Sequence, residues 1–358
     1  MIGICREEGR MKYRKKCGKL KTILIAVLFV SGILLPYRYA ENVLREKVSD
    51  NDTVYRFYQE PGDSIDVLFV GSSHAYRGVS PMELWEESGI TSYVLATPSQ
   101  TFACSYYLIK EGIRTQHPKV VALELYGSAY KADYNGISRL HQAIDCIPFN
   151  TVKIELFREL LPRTLSFHER LEFYFPIIRY HSRWDQLTKT DFVMSESSKK
   201  GYEIDCRITP EEKPEPEAGT KKISGRALEY LDKIIALCKE EQVELVLWQA
   251  PMAASDQYRN VMKKMNWVME YAKPQGAVIA DLERHTEEIG LDYAVDFRDA
   301  EHLNAYGVTK ITRYLSSFLQ NQFSLEDHRG DPAYAAWDAE FSRYHEEIEE
   351  AKSLASGI

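Results

Sequence analysis

Short apolar runs alternate along most of the chain with segments of helical periodicity. Five runs have the length and composition of buried strands, at residues 65–70, 93–96, 119–125, 243–248 and 277–281. Helix signals lie between them: Ser80-Pro81 is typical of an N-cap with a first-turn proline, and Asn304 precedes a segment with an apolar side. Strands separated by helices form a parallel sheet covered on both faces. The pattern predicts an α/β three-layer sandwich.

The alternation of strands and helices is interrupted in the middle of the chain. Residues 151–195 are aromatic and basic and are predicted to be helical, whereas residues 205–223 are rich in proline and glutamate and are predicted to be an exposed loop. We therefore predict one α/β domain over residues 61–330 with an insertion at about 128–223 that covers one end of the sheet. A charged tail at 331–358, with aromatic residues at helical spacing, is predicted to pack on the domain as a closing helix.

The aromatic part of the insertion allows two interpretations. His181, Arg183 and Trp184, with Tyr174 and Tyr180, could form a lid that stacks on sugars, because aromatic faces suit pyranose rings and cations. An ordinary helical core explains the same residues equally well.

An apolar stretch near the N-terminus predicts a membrane anchor. Residues 23–37 are uncharged, and the stretch 22–40 approaches the ~20 residues that a spanning helix needs. Residues 1–21 before it carry eight basic and two acidic residues, so the positive-inside rule predicts a cytoplasmic N-terminus and an extracytoplasmic body. A cleaved signal peptide is the alternative, but residues 37–41 make a poor cleavage site. Residues 41–60 are then predicted to be a stalk.

Charge and cysteine spacing exclude several classes of function. The formal net charge is −8, and because residues 1–21 carry +6, the remainder carries −14. An acidic body is a poor partner for a phosphate backbone, so nucleic-acid binding is not expected. None of the six cysteines forms a C-x-x-C pair, so no zinc site is expected. The four cysteines outside the membrane could pair in three ways, between which the sequence cannot choose, and we expect them to be small buried side chains.

Two short segments contain residue types that suit nucleophilic catalysis. Gly71-Ser72-Ser73-His74 follows the first strand, and Asp299 and His302 precede the last helix. A serine needs a neighbouring base to remove its proton, and that base needs a third group to orient it. A carboxylate three residues before the histidine can reach its Nδ1–H. Ligands of open α/β sheets bind outside the carboxyl ends of the strands, where these segments are expected to meet.

In these positions the two segments resemble the SGNH/GDSL hydrolase superfamily. Its first block is Gly-x-Ser after the first strand, matched by Gly71-Ser72-Ser73, and its last is Asp-x-x-His, matched by Asp299 and His302. The resemblance implies a flavodoxin-like sandwich, Ser73 as nucleophile, His302 as general base and then acid, and Asp299 as its orienter. It implies no metal and no organic cofactor. Ser72 stands where the family usually has aspartate, as in its membrane-anchored members.

The remaining blocks of the family are changed in this sequence. The resemblance implies an oxyanion donor at Ala96, which can still offer its N–H, whereas the Asn of the third block is missing from Glu124-Leu125-Tyr126-Gly127. Gln100 is a candidate substitute for that lost donor. Arg77 is a candidate to bind an anionic substrate, although a paired surface arginine explains it as well. His74 is expected to pack or hydrogen-bond locally, and assistance to catalysis is the alternative.

These observations predict a membrane-tethered serine esterase or O-acyltransferase of the SGNH type. The resemblance implies a substrate among the acyl esters of a cell-surface polysaccharide or wall polymer such as teichoic acid, and a multi-span membrane acyltransferase as a partner. The alternative is a non-catalytic module with the same fold that binds a glycan or a partner protein.

Overall fold

The computed structural model describes residues 2–45, 53–192 and 199–356. Its contacts divide the chain into two units, Met1–Glu46 with Leu165–Ser195 and Lys47–Thr164 with Glu196–Ile358. The strands β1 to β7 are Val67–Gly71, Ser92–Ala96, Val120–Glu124, Glu244–Trp248, Val278–Ala280, Phe297–Asp299 and His302–Leu303. The helices α1 to α15 are Ile2–Leu44, Thr53–Phe57, Ser73–Tyr76, Pro81–Ser88, Phe102–Gln116, Ile137–Ile144, Thr151–Leu160, Phe167–Tyr174, Ile177–Tyr180, Lys189–Phe192, Gly225–Glu240, Tyr258–Ala272, Thr286–Ile289, Ala305–Gln322 and Ala335–Ser356.

Five parallel strands form the sheet of the second unit, in the order β2-β1-β3-β4-β5. Every residue of β1, β2 and β3 is buried, which explains why these strands are apolar throughout rather than alternating. The five predicted strands and the parallel α/β sandwich are confirmed. Because β2 and β3 lie on opposite sides of β1, the carboxyl end of β1 opens onto the crevice where ligands bind in such sheets.

Helices cover both faces of the sheet. On one face Phe69, Val94 and Trp248 pack with α4, α14 and α15. On the other, α5 contacts β1 and also packs against α11, which contacts β4. Gly112 of α5 lies so close to Leu68 that a Cβ there would be 2.2 Å from Leu68 Cδ2, so a glycine allows this helix to approach the sheet.

The sequence predicts a closing helix over residues 331–358; α15 covers Ala335–Ser356 and packs within the second unit, and residues 357–358 lie outside the described residues. Trp337 and Tyr344 are buried, and the ring of Trp337 lies 5.4 Å from that of Trp85 on α4. Tyr344 donates to the buried carboxylate of Glu83 (2.7 Å), and Trp85 Nε1 donates to Asp338 (3.1 Å). This helix therefore completes one face of the core.

The predicted stalk is wrong at both of its described ends. Residues 41–44 continue α1, while Thr53, Val54 and Phe57 of α2 are buried against β2. Thr53 Oγ1 donates to Ala96 O (2.7 Å), and Tyr93 donates back to Thr53 O (2.8 Å). These apolar residues and paired hydrogen bonds make α2 part of the α/β unit. Residues 46–52 of the predicted stalk lie outside the described residues.

The predicted insertion divides between the two units. Residues 165–192 are mostly helical, as expected, and belong to the same unit as α1, where Arg183 bonds the carbonyls of Leu44 and Arg45. Residues 203–224 contain no helix or strand, as predicted, and run along the second unit through backbone bonds such as Thr209 N to Phe297 O. Cys104, Cys206 and Cys238 are free thiols and are buried, whereas Cys146 is half-buried.

Helix α1 contains the predicted anchor. Within the described residues, the segment Lys19–Leu44 is long and apolar enough to cross a membrane or to serve as a signal sequence. Its apolar side chains are exposed, with Leu28 63% accessible. A helix that buried this face in a protein core would not show such exposure.

Candidate active site

Ser73 begins the short helix α3 directly after β1. Ser72 caps this helix by accepting from His74 N (3.3 Å), and it is buried, whereas Ser73 is partly exposed. Gly71 is required because a Cβ there would lie 2.5 Å from Glu124 Cβ and 3.1 Å from Ala75 Cβ. The strand-to-helix turn thus presents one hydroxyl, that of Ser73, to the crevice.

Glu124, the last residue of β3, holds this turn in place. Its Oε2 accepts from the N–H (3.2 Å) and the Oγ (2.9 Å) of Ser72, and its Oε1 accepts from Tyr126 N (2.5 Å). Burial raises the pKa of Glu124 to about 7, against the three hydrogen bonds that favour its ionised form. From the sequence, the segment that begins at Glu124 is interpreted only as lacking the asparagine of the third block. A carboxylate at the end of a buried strand is the feature that could have indicated its structural role.

Asp299 and His302 lie on the two-stranded antiparallel ribbon of β6 and β7. Asn304, which caps α14, fixes this ribbon: Oδ1 accepts from Tyr306 N and Gly307 N, and Nδ2 donates to Val295 O (2.6 Å) and Phe297 O (3.2 Å). Gly307 allows the close contact, because a Cβ there would lie 2.4 Å from Asp296 O. The ribbon and the first turn of α14 are therefore one rigid support.

The structure brings the three predicted side chains into one hydrogen-bonded chain. His302 Nε2 lies 2.8 Å from Ser73 Oγ, and His302 Nδ1 lies 2.8 Å from Asp299 Oδ1. The Asp299 carboxylate can only accept, so the proton sits on Nδ1 and Nε2 is left to accept the serine proton. Residues 229 positions apart in the sequence thus meet at the carboxyl end of β1.

The surroundings of Asp299 keep its carboxylate ionised. Burial would raise its pKa, but the hydrogen bond and charge of His302, the Glu301 N–H (3.0 Å) and the Arg298 guanidinium outweigh burial and hold the pKa of Asp299 below its ordinary value. Arg298 Nε lies 3.1 Å from Asp299 Oδ2, and the same guanidinium lies 2.9 Å from Asp205. Asp299 therefore stays charged and can orient the imidazole of His302.

The ring of His74 stacks on the ring of His302. Its buried ring lies between Tyr126, 3.9 Å away by ring centroids, and His302, 4.9 Å away. Among the described residues neither ring nitrogen has a hydrogen-bond partner. Burial lowers the pKa of His74 well below its ordinary value, and the nearby His302 lowers it further. The local packing expected for His74 is found; the local hydrogen bond through its ring is not.

Ala96 is buried at the end of β2, opposite Gly71. Its carbonyl accepts from Thr53, whereas the next residue, Thr97, donates its N–H to Gly71 O (3.3 Å). The N–H and C=O of one strand residue point to the same side, so Ala96 N–H lies on the edge of β2 away from β1. This strand geometry argues against Ala96 as the oxyanion donor, and its role stays a prediction.

Gln100 braces the loop that follows β2. Its Oε1 accepts from Thr97 Oγ1 (2.9 Å), and its Nε2 donates one hydrogen to Ser105 Oγ (3.0 Å). In the same loop Ser99 has a φ of 55°, a left-handed backbone that non-glycine residues rarely adopt. The loop is therefore held in a special conformation next to the carboxyl end of β1.

Arg77 forms an ion pair with Glu203, and both side chains are mostly buried. Its guanidinium also lies 5.3 Å from the ring centre of Tyr76. The paired-arginine interpretation therefore accounts for Arg77, and its role toward an anionic substrate stays a prediction. Within the described part of the chain, no group of three or more His, Cys, Asp or Glu side chains could hold a metal ion.

The residues considered for a sugar-stacking lid lie in the other unit. The segment from Tyr174 to Trp184 packs with the end of α1, and Trp184 and His181 are exposed there. An ordinary helical core is also wrong for most of this segment, because Phe173 is the fully buried aromatic residue of α8 and its neighbours are accessible.

Comparison with known proteins gives little beyond this geometry. No protein-family model and no curated protein matches the sequence. Fifteen chains of solved structures match. One is a protein assigned to the G-D-S-L lipolytic family from Desulfitobacterium hafniense DCB-2, at 13% identity over 71% of this chain and 98% of that chain, with a TM-score of 0.37. A likeness of this size carries no argument about chemistry, so the site geometry alone supports a function.

Proposed function

We propose that the protein is a serine-dependent esterase or O-acyltransferase. The observation that carries this proposal is the continuous hydrogen-bonded chain from Ser73 Oγ through His302 to Asp299, with both distances at 2.8 Å. The partial exposure of Ser73, in a turn whose neighbours are buried, gives a substrate access to the hydroxyl.

The chemistry proceeds in two steps. Ser73 Oγ attacks an ester carbonyl while His302 Nε2 takes its proton, and Asp299 stabilises the imidazolium that forms. The tetrahedral intermediate collapses, its C–O bond to the alcohol breaks, and His302 returns the proton to the leaving oxygen. Water or a second hydroxyl then attacks the acyl-enzyme with His302 as base, which releases the acid or transfers the acyl group.

The oxyanion needs donors near Ser73. Ser73 N–H is one candidate, because the first N–H groups of a helix have no intrahelical partner. The second would come from the loop after β2, either the second amide hydrogen of Gln100 or the backbone N–H of Ser99. In enzymes where it has been measured, removal of one oxyanion donor lowers the rate by ~10²–10³. A slow enzyme is therefore compatible with this site.

The exposed apolar face of α1 supports a place for this chemistry at a membrane surface. With the basic residues before it, α1 would leave the N-terminus in the cytoplasm and the α/β unit outside. The substrate would then be an O-acyl ester of a cell-surface polysaccharide or wall polymer, and a multi-span acyltransferase would be the partner. The substrate and the partner proposed here follow from the family resemblance of the two motif blocks.

Hydrolysis of a p-nitrophenyl ester by the full chain in detergent tests the enzyme proposal. The wild type should release p-nitrophenol, and Ser73→Ala and His302→Ala should reduce the rate to background. Ser88→Ala is a matched control, because Ser88 is a buried hydroxyl in the last turn of α4 that donates to Leu84 O, and among the described residues it has no hydrogen bond to Ser73, His302 or Asp299. Equal rates in wild type and Ser73→Ala would refute the proposal. Adding an acetylated donor with a polysaccharide acceptor then separates transfer from hydrolysis by product.

A second candidate function is a non-catalytic module that binds a glycan or a partner. The direction of Ala96 N–H and the involvement of Gln100 in its own loop favour it, because they leave the oxyanion donors incomplete. A module of this kind would keep the fold and bind the polymer equally well after Ser73→Ala.

A further inference from the structure

Most of the aromatic side chains between residues 165 and 192 are exposed. Five aromatic side chains are accessible by two fifths or more, Phe167 and Trp184 by 78% and 71%. We call this set the aromatic surface; its members are Phe167, Tyr174, Phe175, Trp184 and Phe192. Five large exposed aromatic side chains within 26 residues are more than scattered single surface residues, and such a concentration indicates a surface that lipid or another molecule covers.

The aromatic surface is tied to the C-terminal end of α1. Arg183 Nη1 donates to Leu44 O (2.8 Å) and to Arg45 O (2.6 Å), which satisfies carbonyls that the end of a helix leaves without partners. Its Nη2 lies 3.1 Å from Asp191 Oδ1, so one guanidinium joins α1, the turn that contains Trp184, and α10. Both the aromatic surface and this end of α1 belong to the same unit.

The position along α1 matches the edge of a bilayer. Side chains 19–30 and 32–36 are exposed, and from Ala40 onward all the described side chains of this segment are at least partly buried. At 1.5 Å per residue, the 20 steps from Leu20 to Ala40 span about 30 Å, the thickness of the hydrocarbon core. The point where α1 meets the aromatic segment is therefore the point where the helix would leave the lipid.

Charge also suits this location. Residues 165–192 contain four Arg or Lys and four Asp or Glu, so the segment is neutral, whereas the sequence after residue 21 is strongly acidic. Trp and Tyr are enriched at the membrane–water interface because their rings have one apolar and one polar end. A neutral, aromatic segment beside the end of a spanning helix has the composition of an interfacial element.

We propose that the aromatic surface lies in the headgroup region of the bilayer that α1 spans. This inference rests on the proposed anchor and is independent of the serine chemistry. The aromatic side chains would then fix the depth of α1 and hold its last turns rigid at the point where the chain enters the aqueous phase.

Depth-dependent fluorescence quenching tests this proposal on the full chain in phosphatidylcholine vesicles. The lipids carry bromine either near the headgroup or near the end of the acyl chain. The Trp184 signal is the difference between the wild type and Trp184→Phe. It should be quenched more by the shallow bromines than by the deep ones. Phe167→Trp in the Trp184→Phe background is a second reporter and should behave the same way.

A control within α1 separates this proposal from the anchor. Leu28→Trp in the Trp184→Phe background places a reporter in the middle of the span, where deep bromines should quench most. Deep quenching at position 28 without quenching of Trp184 overturns the aromatic surface and leaves the anchor standing. Absence of quenching at both positions overturns both. Shielding of Trp184 from aqueous iodide by a soluble polysaccharide, but not by lipid, also overturns it. None of these outcomes depends on the reactivity of Ser73.

Discussion

The imidazole of His74 stacks on that of His302 with ring centroids 4.9 Å apart, while its own nitrogens have no hydrogen-bond partner among the described residues. Two imidazolium ions at this distance would repel each other strongly in a buried site. The His74 ring therefore stays neutral, and its stacking contact fixes the plane of the His302 ring. The triad thus depends on a side chain that has no part in proton transfer.

Replacement of His74 by phenylalanine should preserve the stacking contact with His302. Since His74 is already neutral, His74→Phe should keep the acid limb of the pH–rate profile for ester hydrolysis where it is in the wild type. His74→Ala should remove the stacking contact and destabilise the fold by about 2–4 kcal/mol, as other large-to-small core changes do. A shift of the acid limb by more than one pH unit in His74→Phe would show that His74 carries charge and would contradict this account.

Stability should depend on pH through Glu124. Burial raises its pKa to about 7 in the folded state, above the ~4.3 of an unfolded glutamate, so the folded protein binds the proton more tightly. Its contribution is full below the unfolded pKa and is lost as pH rises through about 7, up to roughly 4 kcal/mol in all. Glu124→Gln should therefore flatten the decline of unfolding free energy between pH 5 and pH 8, measured by denaturation in detergent.

Glu283 provides the matched control for that prediction. Burial raises its pKa to about 7 too, and it bonds Tyr258 and Met252 N rather than the serine turn. Glu283→Gln should flatten the same pH dependence and leave ester hydrolysis within about twofold of wild type, because surface and core changes away from a site act on stability alone. Glu124→Gln should also slow hydrolysis, since Ser72 loses acceptors. Identical hydrolysis rates in the two variants would refute the role of Glu124 in the turn.

Asp299→Asn should reduce kcat by about 10³–10⁴ with little change in KM, because an amide at this position lets His302 adopt the wrong tautomer. Asp205→Asn is the control: Asp205 also contacts Arg298 but does not touch His302. Steady-state hydrolysis by the two variants, with their unfolding midpoints as a check on folding, makes the comparison. Comparable losses in both would indicate that Arg298, and not the imidazole, is the group that matters.

The closing helix should contribute to stability through Trp337. Trp337→Ala removes a buried ring that packs against Trp85 and should lower the unfolding free energy by about 3–5 kcal/mol. Leu354→Ala, on the same helix but 74% exposed, should change it by about 0.5 kcal/mol or less. Equal unfolding midpoints for the two variants would mean that α15 does not stabilise the α/β unit.

Strand positions and the pairing of Ser73 with His302 could be predicted because both depend on local patterns. Continuous apolar runs identify doubly covered strands, and the carboxyl ends of parallel strands meet at one edge. The predictions failed where tertiary contacts decide: α2 joined β2 through Thr53, and residues 165–192 joined α1 through Arg183. The direction of Ala96 N–H depends on strand register, and the stacking of His74 depends on Tyr126, which no local pattern encodes.

The site of covalent attack tests the central claim most directly. The full chain in detergent is treated with a fluorophosphonate, from which a nucleophilic serine displaces fluoride, and the labelled peptide is identified by mass spectrometry. The account predicts one adduct on Ser73, lost in Ser73→Ala and His302→Ala and retained in Ser88→Ala. A folded protein with no adduct, or with an adduct on another serine that persists in Ser73→Ala, would contradict it.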